Sequence, residues 1–96
     1  KLALTEENPT IRPYQEKGFA ELVDARLPLE PSLQMLDGAH ARLATLYESM
    51  TPDDFARPYV HPVTGPQSLD VLLAMYAWHG RHHTAHVTGL RAREHW

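Results

Sequence analysis

The segment Ser68-Leu69-Asp70-Val71-Leu72-Leu73-Ala74-Met75-Tyr76-Ala77-Trp78-His79-Gly80-Arg81-His82-His83-Thr84-Ala85-His86-Val87-Thr88-Gly89-Leu90-Arg91 decides the fold. No proline interrupts it, and Leu72, Tyr76, His79, His83, His86 and Leu90 step 4-3-4-3-4 along it. That is the seam spacing of a packed helix bundle. Four of the seven histidines lie inside it. At about 100° per residue with His79 at zero, His82 falls at about −60°, His83 at about +40° and His86 at about −20°. Leu72, Leu90, Met75 and Tyr76 share that arc, and Arg81 points away. The imidazoles thus occupy the face patterned for burial. A bound metal ion is the leading reason to aim histidines there; the plainer alternative is a set of polar residues beside a dimer seam or solvent edge.

Ser68 is the expected N-cap of this helix, Asp70 suits its positive dipole end, and the helix is expected to run to about Arg91–Arg93. A second helix is expected from Glu30 to Met50, with Pro31 in its first turn and Leu33, Leu36, His40, Leu43, Tyr47 and Met50 on one apolar face. Thr51-Pro52-Asp53-Asp54 reads as a capped short turn of helix. Phe55 to Gln67 holds three prolines and Gly65, with Tyr59-Val60-His61 briefly extended. Between Asn8 and Leu29 a proline-interrupted connection is expected, with a helical turn near Gly18–Val23. Lys1 to Glu7 reads as the last turns of a helix, closed by Asn8 and stopped by Pro9. The chain is therefore expected to begin inside a helix, with residues upstream of it absent. Two long helices and a stub cannot enclose a core on all sides, so upstream residues or a second chain, as in a homodimer, are expected to complete it.

The 96 residues and 43% hydrophobic content fit one small domain, residues 1–96. A net charge of −3 with no Lys/Arg block argues against a nucleic-acid surface. No apolar run approaches a membrane span or a secretory core, so a cytoplasmic protein is expected. The absence of cysteine excludes disulfides, thiolate metal ligands and a cysteine nucleophile. A metal would be held by imidazole, carboxylate or water, which suits zinc, nickel, iron(II) or manganese(II).

His79 and His83 are the candidate ligands, because a spacing of four sets two imidazoles on adjacent turns of one face. Gly80 replaces the glutamate base of the H-E-x-x-H protease pattern, so that chemistry is dismissed. His82 and His86 form a rival pair. His86 is the better cavity or supporting residue and His82 the more peripheral. His40 lies on the apolar face of the preceding helix, where packing is the commoner role, yet it could reach the same cavity, as could Tyr76. His61 reads as a loop residue, His95 as solvated, and Trp78 and Trp96 as packing or interface residues. No Ser-His-Asp order, phosphate loop or paired catalytic carboxylates stand out.

The run Leu69 to His86 resembles the last helix of the DinB/YfiT-like superfamily, and most closely its YfiT branch of metal-dependent hydrolases and bacillithiol transferases. Lys1-Leu2-Ala3-Leu4-Thr5-Glu6-Glu7-Asn8-Pro9-Thr10-Ile11-Arg12-Pro13-Tyr14 and Tyr59-Val60-His61-Pro62 resemble the same branch. The resemblance implies an all-α, up-down four-helix bundle, of which this chain supplies the C-terminal two long helices plus the end of a preceding one. It implies one divalent ion, zinc or nickel, held by three histidines, two of them matching His79 and His83. The third ligand falls outside this chain, so the 96-residue form is expected to be inactive or to carry an incomplete site. His86 stands where the wider group has glutamine. The implied function is hydrolysis, or transfer of a low-molecular-weight thiol cosubstrate to a small-molecule electrophile. The alternatives are a non-catalytic metal- or small-molecule-binding bundle and a structural dimerisation domain.

Overall fold

The computed structural model describes residues 1–96. Five helices and one hairpin follow in the order α1 (Leu2–Thr5), α2 (Glu16–Ala20), α3 (Glu30–Glu48), α4 (Pro52–Phe55), β1 (Pro58–His61), β2 (Gly65–Ser68) and α5 (Leu69–Glu94), with a 3-10 turn over Val23–Arg26 after α2. Helix dominates, as its periodicity dictates. The two-stranded sheet corrects the all-α expectation, and β2 is the strand it lacked.

The physical reason for the hairpin lies in where the prolines fall. Tyr59 pairs with Gln67 and Val60 with Pro66 in antiparallel register. Val60 turns both backbone groups the other way: its amide donates to the Pro9 carbonyl at 2.8 Å, and its carbonyl accepts from Ile11 at 3.0 Å. Pro66 therefore sits opposite a residue that asks nothing of it, on the outer strand, where a missing N–H costs no ladder bond. Gly65, at φ 78°, closes the three-residue loop in a backbone region that glycine enters without strain.

The short elements converge on a small core of Ala3, Tyr59 and Leu69, flanked by Leu4, Ile11, Met50 and Leu72. Tyr59 is 3% exposed, and its hydroxyl donates to Gln67 Oε1 at 2.5 Å. Helix α1 stops at Thr5 rather than Asn8, because Glu6 is extended and the Arg57 guanidinium donates to the carbonyls of Ala3 and Glu6. That side chain, 51 residues distant from Glu6, satisfies helix-end carbonyls that a left-handed residue would otherwise cap. Asn8 does adopt the left-handed conformation, φ 46°, but to aim Pro9 at β1. The expected turn near Gly18–Val23 resolves into two short pieces that overlap its ends, α2 over Glu16–Ala20 and the 3-10 turn over Val23–Arg26.

Helix α3 ends at Glu48, two residues before Met50, since Thr51 must be extended to precede Pro52. Thr51 and Asp54 form a reciprocal capping box: the Thr51 amide donates to the Asp54 carboxylate at 2.9 Å, and the Asp54 amide to the Thr51 hydroxyl at 3.3 Å. At α5 the capping expectation shifts by two residues. Ser68 holds the N-cap position, but its hydroxyl donates to the Asp70 carboxylate, which accepts from the Val71 amide at 2.7 Å. A carboxylate is the stronger acceptor and takes the role.

Beyond the hairpin the long helices bury little. No residue of α3 is buried, and only Leu69 of α5 is. The radius of gyration, 16.6 Å, exceeds the roughly 12.5 Å of a compact chain of this length. Leu33, Leu36, Met75 and Leu90 thus remain open on the apolar faces of these helices. No helix is long and apolar enough to cross a membrane.

Candidate metal-binding face of the last helix

Helix α5 carries its histidines in its middle turns, where every backbone group is already bonded and only side chains can recruit a ligand. The neighbouring polar residues are satisfied along the helix itself. Arg81 Nε donates to the Ala77 carbonyl at 3.0 Å, and the Thr84 hydroxyl to the Gly80 carbonyl at 2.9 Å. The imidazoles are left to one another.

His79 and His83 meet through their Nε2 atoms, 2.7 Å apart, with ring centroids at 4.5 Å. At that separation one Nε2 carries a proton and the other presents its lone pair. The two nitrogens thus lie side by side, as two ligands of a common ion must. Nitrogens on one tetrahedral zinc stand about 3.3 Å apart, given zinc–nitrogen bonds of about 2.05 Å. Opening the pair by about 0.6 Å, within the reach of small side-chain rotations, and moving the shared proton off Nε2, to Nδ1 or to solvent, converts the hydrogen bond into a chelate. The donor set therefore fits a divalent ion at two positions. No group of three or more His, Asp or Glu side chains gathers where it could hold one. Within this chain the site is a pair.

His82 stands differently from its peripheral expectation. It is half-buried, whereas His79, His83 and His86 are exposed. Trp78 stacks on it at 4.5 Å with planes 22° apart, and His86 covers its other side at 4.3 Å. The ladder Trp78-His82-His86 follows the same four-residue step as the ligand pair. Desolvation, then repulsion from His86, His83 and His79, holds the His82 imidazolium below its ordinary pKa. His86 reaches the edge of His83 at 6.0 Å and closes the cluster.

His40 and Tyr76 find each other across the two long helices. His40 Nε2 and the Tyr76 hydroxyl share a hydrogen bond of 3.0 Å, with the rings edge to face. It is the only side-chain hydrogen bond between α3 and α5, and it lies one helical turn before His79. Each residue was legible as a cavity candidate; their pairing was not, because nothing in sequence sets the relative height of two helices. Tyr47 belongs to the same seam. Burial, and then the Tyr76 phenol, raise its pKa above the ordinary phenol value. His61, expected in a loop, is instead the last residue of β1, and its Nδ1 accepts from the Val63 and Thr64 amides of the hairpin loop.

A family model described as the DinB superfamily matches residues 2–87, a span that includes α1, the hairpin and all four clustered histidines. A protein of Bacillus cereus strain B4264 named "Putative metal-dependent hydrolase" is 53% identical over all 96 residues, which span 56% of its length. A counterpart of the same name in Bacillus mycoides strain KBAB4 is 51% identical with the same coverage. Among solved structures, YfiT from Bacillus subtilis, described as a probable metal-dependent hydrolase with an unusual four-helix bundle topology, aligns with a TM-score of 0.89 at 41% identity, over 99% of this chain and 55% of that one. This chain thus spans a little over half the length of the relatives it matches.

Proposed function

The chain belongs to the DinB superfamily, and from that premise we propose that it forms part of a divalent-metal-dependent hydrolase whose ion is held by His79 and His83. The convergence of their Nε2 atoms at 2.7 Å carries the reading. A third ligand is supplied from outside these 96 residues, which is why the pair stands alone here. Zinc or nickel suits a set of imidazoles without thiolate. When bound, the ion supplies Lewis-acid polarisation of a substrate or of an attacking water or thiol.

The chain's own residues do the rest of the positioning. The mutual Nε2 contact keeps the two nitrogens side by side, before any ion arrives. His40 holds the Tyr76 hydroxyl one turn from His79, where a phenol can donate to a substrate oxygen. If His40 donates through Nε2–H, the phenol keeps its own proton for that purpose. His86 lies beside His83 and lines the approach. In the finer form of the proposal, the attacking group is a low-molecular-weight thiol of the bacillithiol type that arrives as a cosubstrate, a role compatible with a chain that contains no cysteine.

The test takes the complete protein loaded with zinc or nickel and offers it esters, amides, and a thiol paired with electrophilic acceptors. Consumption of ester or amide without thiol supports hydrolysis, and thiol-dependent loss of the electrophile supports transfer. A metal-loaded protein that turns over none of them refutes the enzyme reading and leaves a binding bundle.

A further inference from the structure

We propose that His82 and His86 form a second, separate binding site for a divalent transition-metal ion, Cu²⁺ above all. Their rings are 4.3 Å apart, as near as the 4.5 Å of His79 and His83, and stand on the same four-residue step. What distinguishes them is that their nitrogens are uncommitted. His79 and His83 bond to each other, His40 bonds to Tyr76 and His61 to the Val63 amide, whereas neither His82 nor His86 makes a hydrogen bond. Trp78, stacked on His82 at 4.5 Å, restricts that ring and reduces the rotamer freedom lost on binding. A helix thus presents two imidazoles with one of them already ordered.

The preferred ion follows from the donors. Two imidazoles on a helix surface leave the remaining positions to water, a nitrogen-and-oxygen set that suits the tetragonal geometry of Cu²⁺. The order of divalent affinities places Cu²⁺ above Ni²⁺ and Zn²⁺ for such a site. The two pairs are offset by three residues, about 4.5 Å along the axis. An ion at His79 and His83 therefore repels the second and weakens it without occupying its ligands.

The complete protein carrying His79→Gln and His83→Gln, checked for helix content by circular dichroism, is titrated with Cu²⁺ alone. One equivalent is expected to bind, with an electron paramagnetic resonance pattern of two imidazole nitrogens. It is expected to quench the part of the tryptophan emission that vanishes in Trp78→Phe, and chelator should restore that emission. Adding His82→Gln or His86→Gln should abolish both signals. Binding that ignores these two substitutions, or no binding at all, overturns the proposal. Should the host variant fail to fold, His82→Gln/His86→Gln in the otherwise native protein must lower bound Cu²⁺ from two equivalents to one; retention of two overturns it equally. Because the first host lacks His79 and His83, a negative result there leaves the hydrolase reading intact.

Discussion

Replacing His83 by alanine should remove about half or more of the stability that a divalent ion confers on the protein, and the amount can be worked out. An ion that binds only the folded state, at a free concentration 100 times its dissociation constant, stabilises by about 2.7 kcal/mol. Disturbing residues that merely support a metal ligand weakens affinity about 10- to 100-fold, so losing one nitrogen of a pair set 2.7 Å apart should cost at least that much. At the same free ion concentration the residual stabilisation is then about 1.4 to 0.4 kcal/mol. The ion-dependent part of the unfolding free energy should therefore fall by about 1.3 to 2.3 kcal/mol. Urea titrations of the complete protein, with zinc buffered at fixed free concentration and again with chelator, measure that difference directly. His79→Ala should behave alike, whereas His95→Ala, at the far end of α5, should not. If His79→Ala and His83→Ala keep the full zinc-dependent increment, these two residues do not hold the ion and the site has been drawn in the wrong place.

Tyr59→Ala should cost about 3–5 kcal/mol by emptying the small core, while Tyr59→Phe, which strands only Gln67 Oε1, should cost about 1–2 kcal/mol by chemical denaturation; equal losses would mean that packing around the ring contributes nothing. Thr51→Ala should cost about 1 kcal/mol through the lost cap, read from the same titrations, and no loss would mean the box does not stabilise α4. The Thr51 amide first and its hydroxyl second hold the Asp54 carboxyl below the usual carboxylate range. A depressed folded-state pKa contributes stability that is present above the unfolded Asp value near 4 and is lost as pH falls through the folded one. Denaturation curves from pH 6 to 2 should accordingly show a shallower acid loss in Asp54→Asn than in the native chain. Gly80→Ala should raise stability by up to about 1 kcal/mol, because a methyl group there meets nothing within 4 Å and alanine is the better helix former. A clear destabilisation, seen as a lower urea midpoint, would show that another segment packs on that face.

The sequence by itself determined that α3 and α5 are helices, that Thr51 caps α4, and that His79 and His83 share one face four residues apart. Each of these is a statement about neighbours along the chain, and helical periodicity converts spacing directly into direction. Only the tertiary structure decided the rest. The hairpin depends on Val60 turning its backbone toward Pro9, which frees Pro66 to lie opposite it; proline-rich composition argues against a strand until that partner is known. Helix α1 ends where the guanidinium of Arg57 reaches it, not where its own residues would close it. His40 meets Tyr76 because two helices joined through α4 and the hairpin happen to set those residues at one height. The convergence of the His79 and His83 nitrogens needed rotamers, which are settled by contacts with Trp78, His82 and His86. Spacing within a helix is local and therefore readable; separation between elements is the sum of many packing contacts and appears only when the chain is folded.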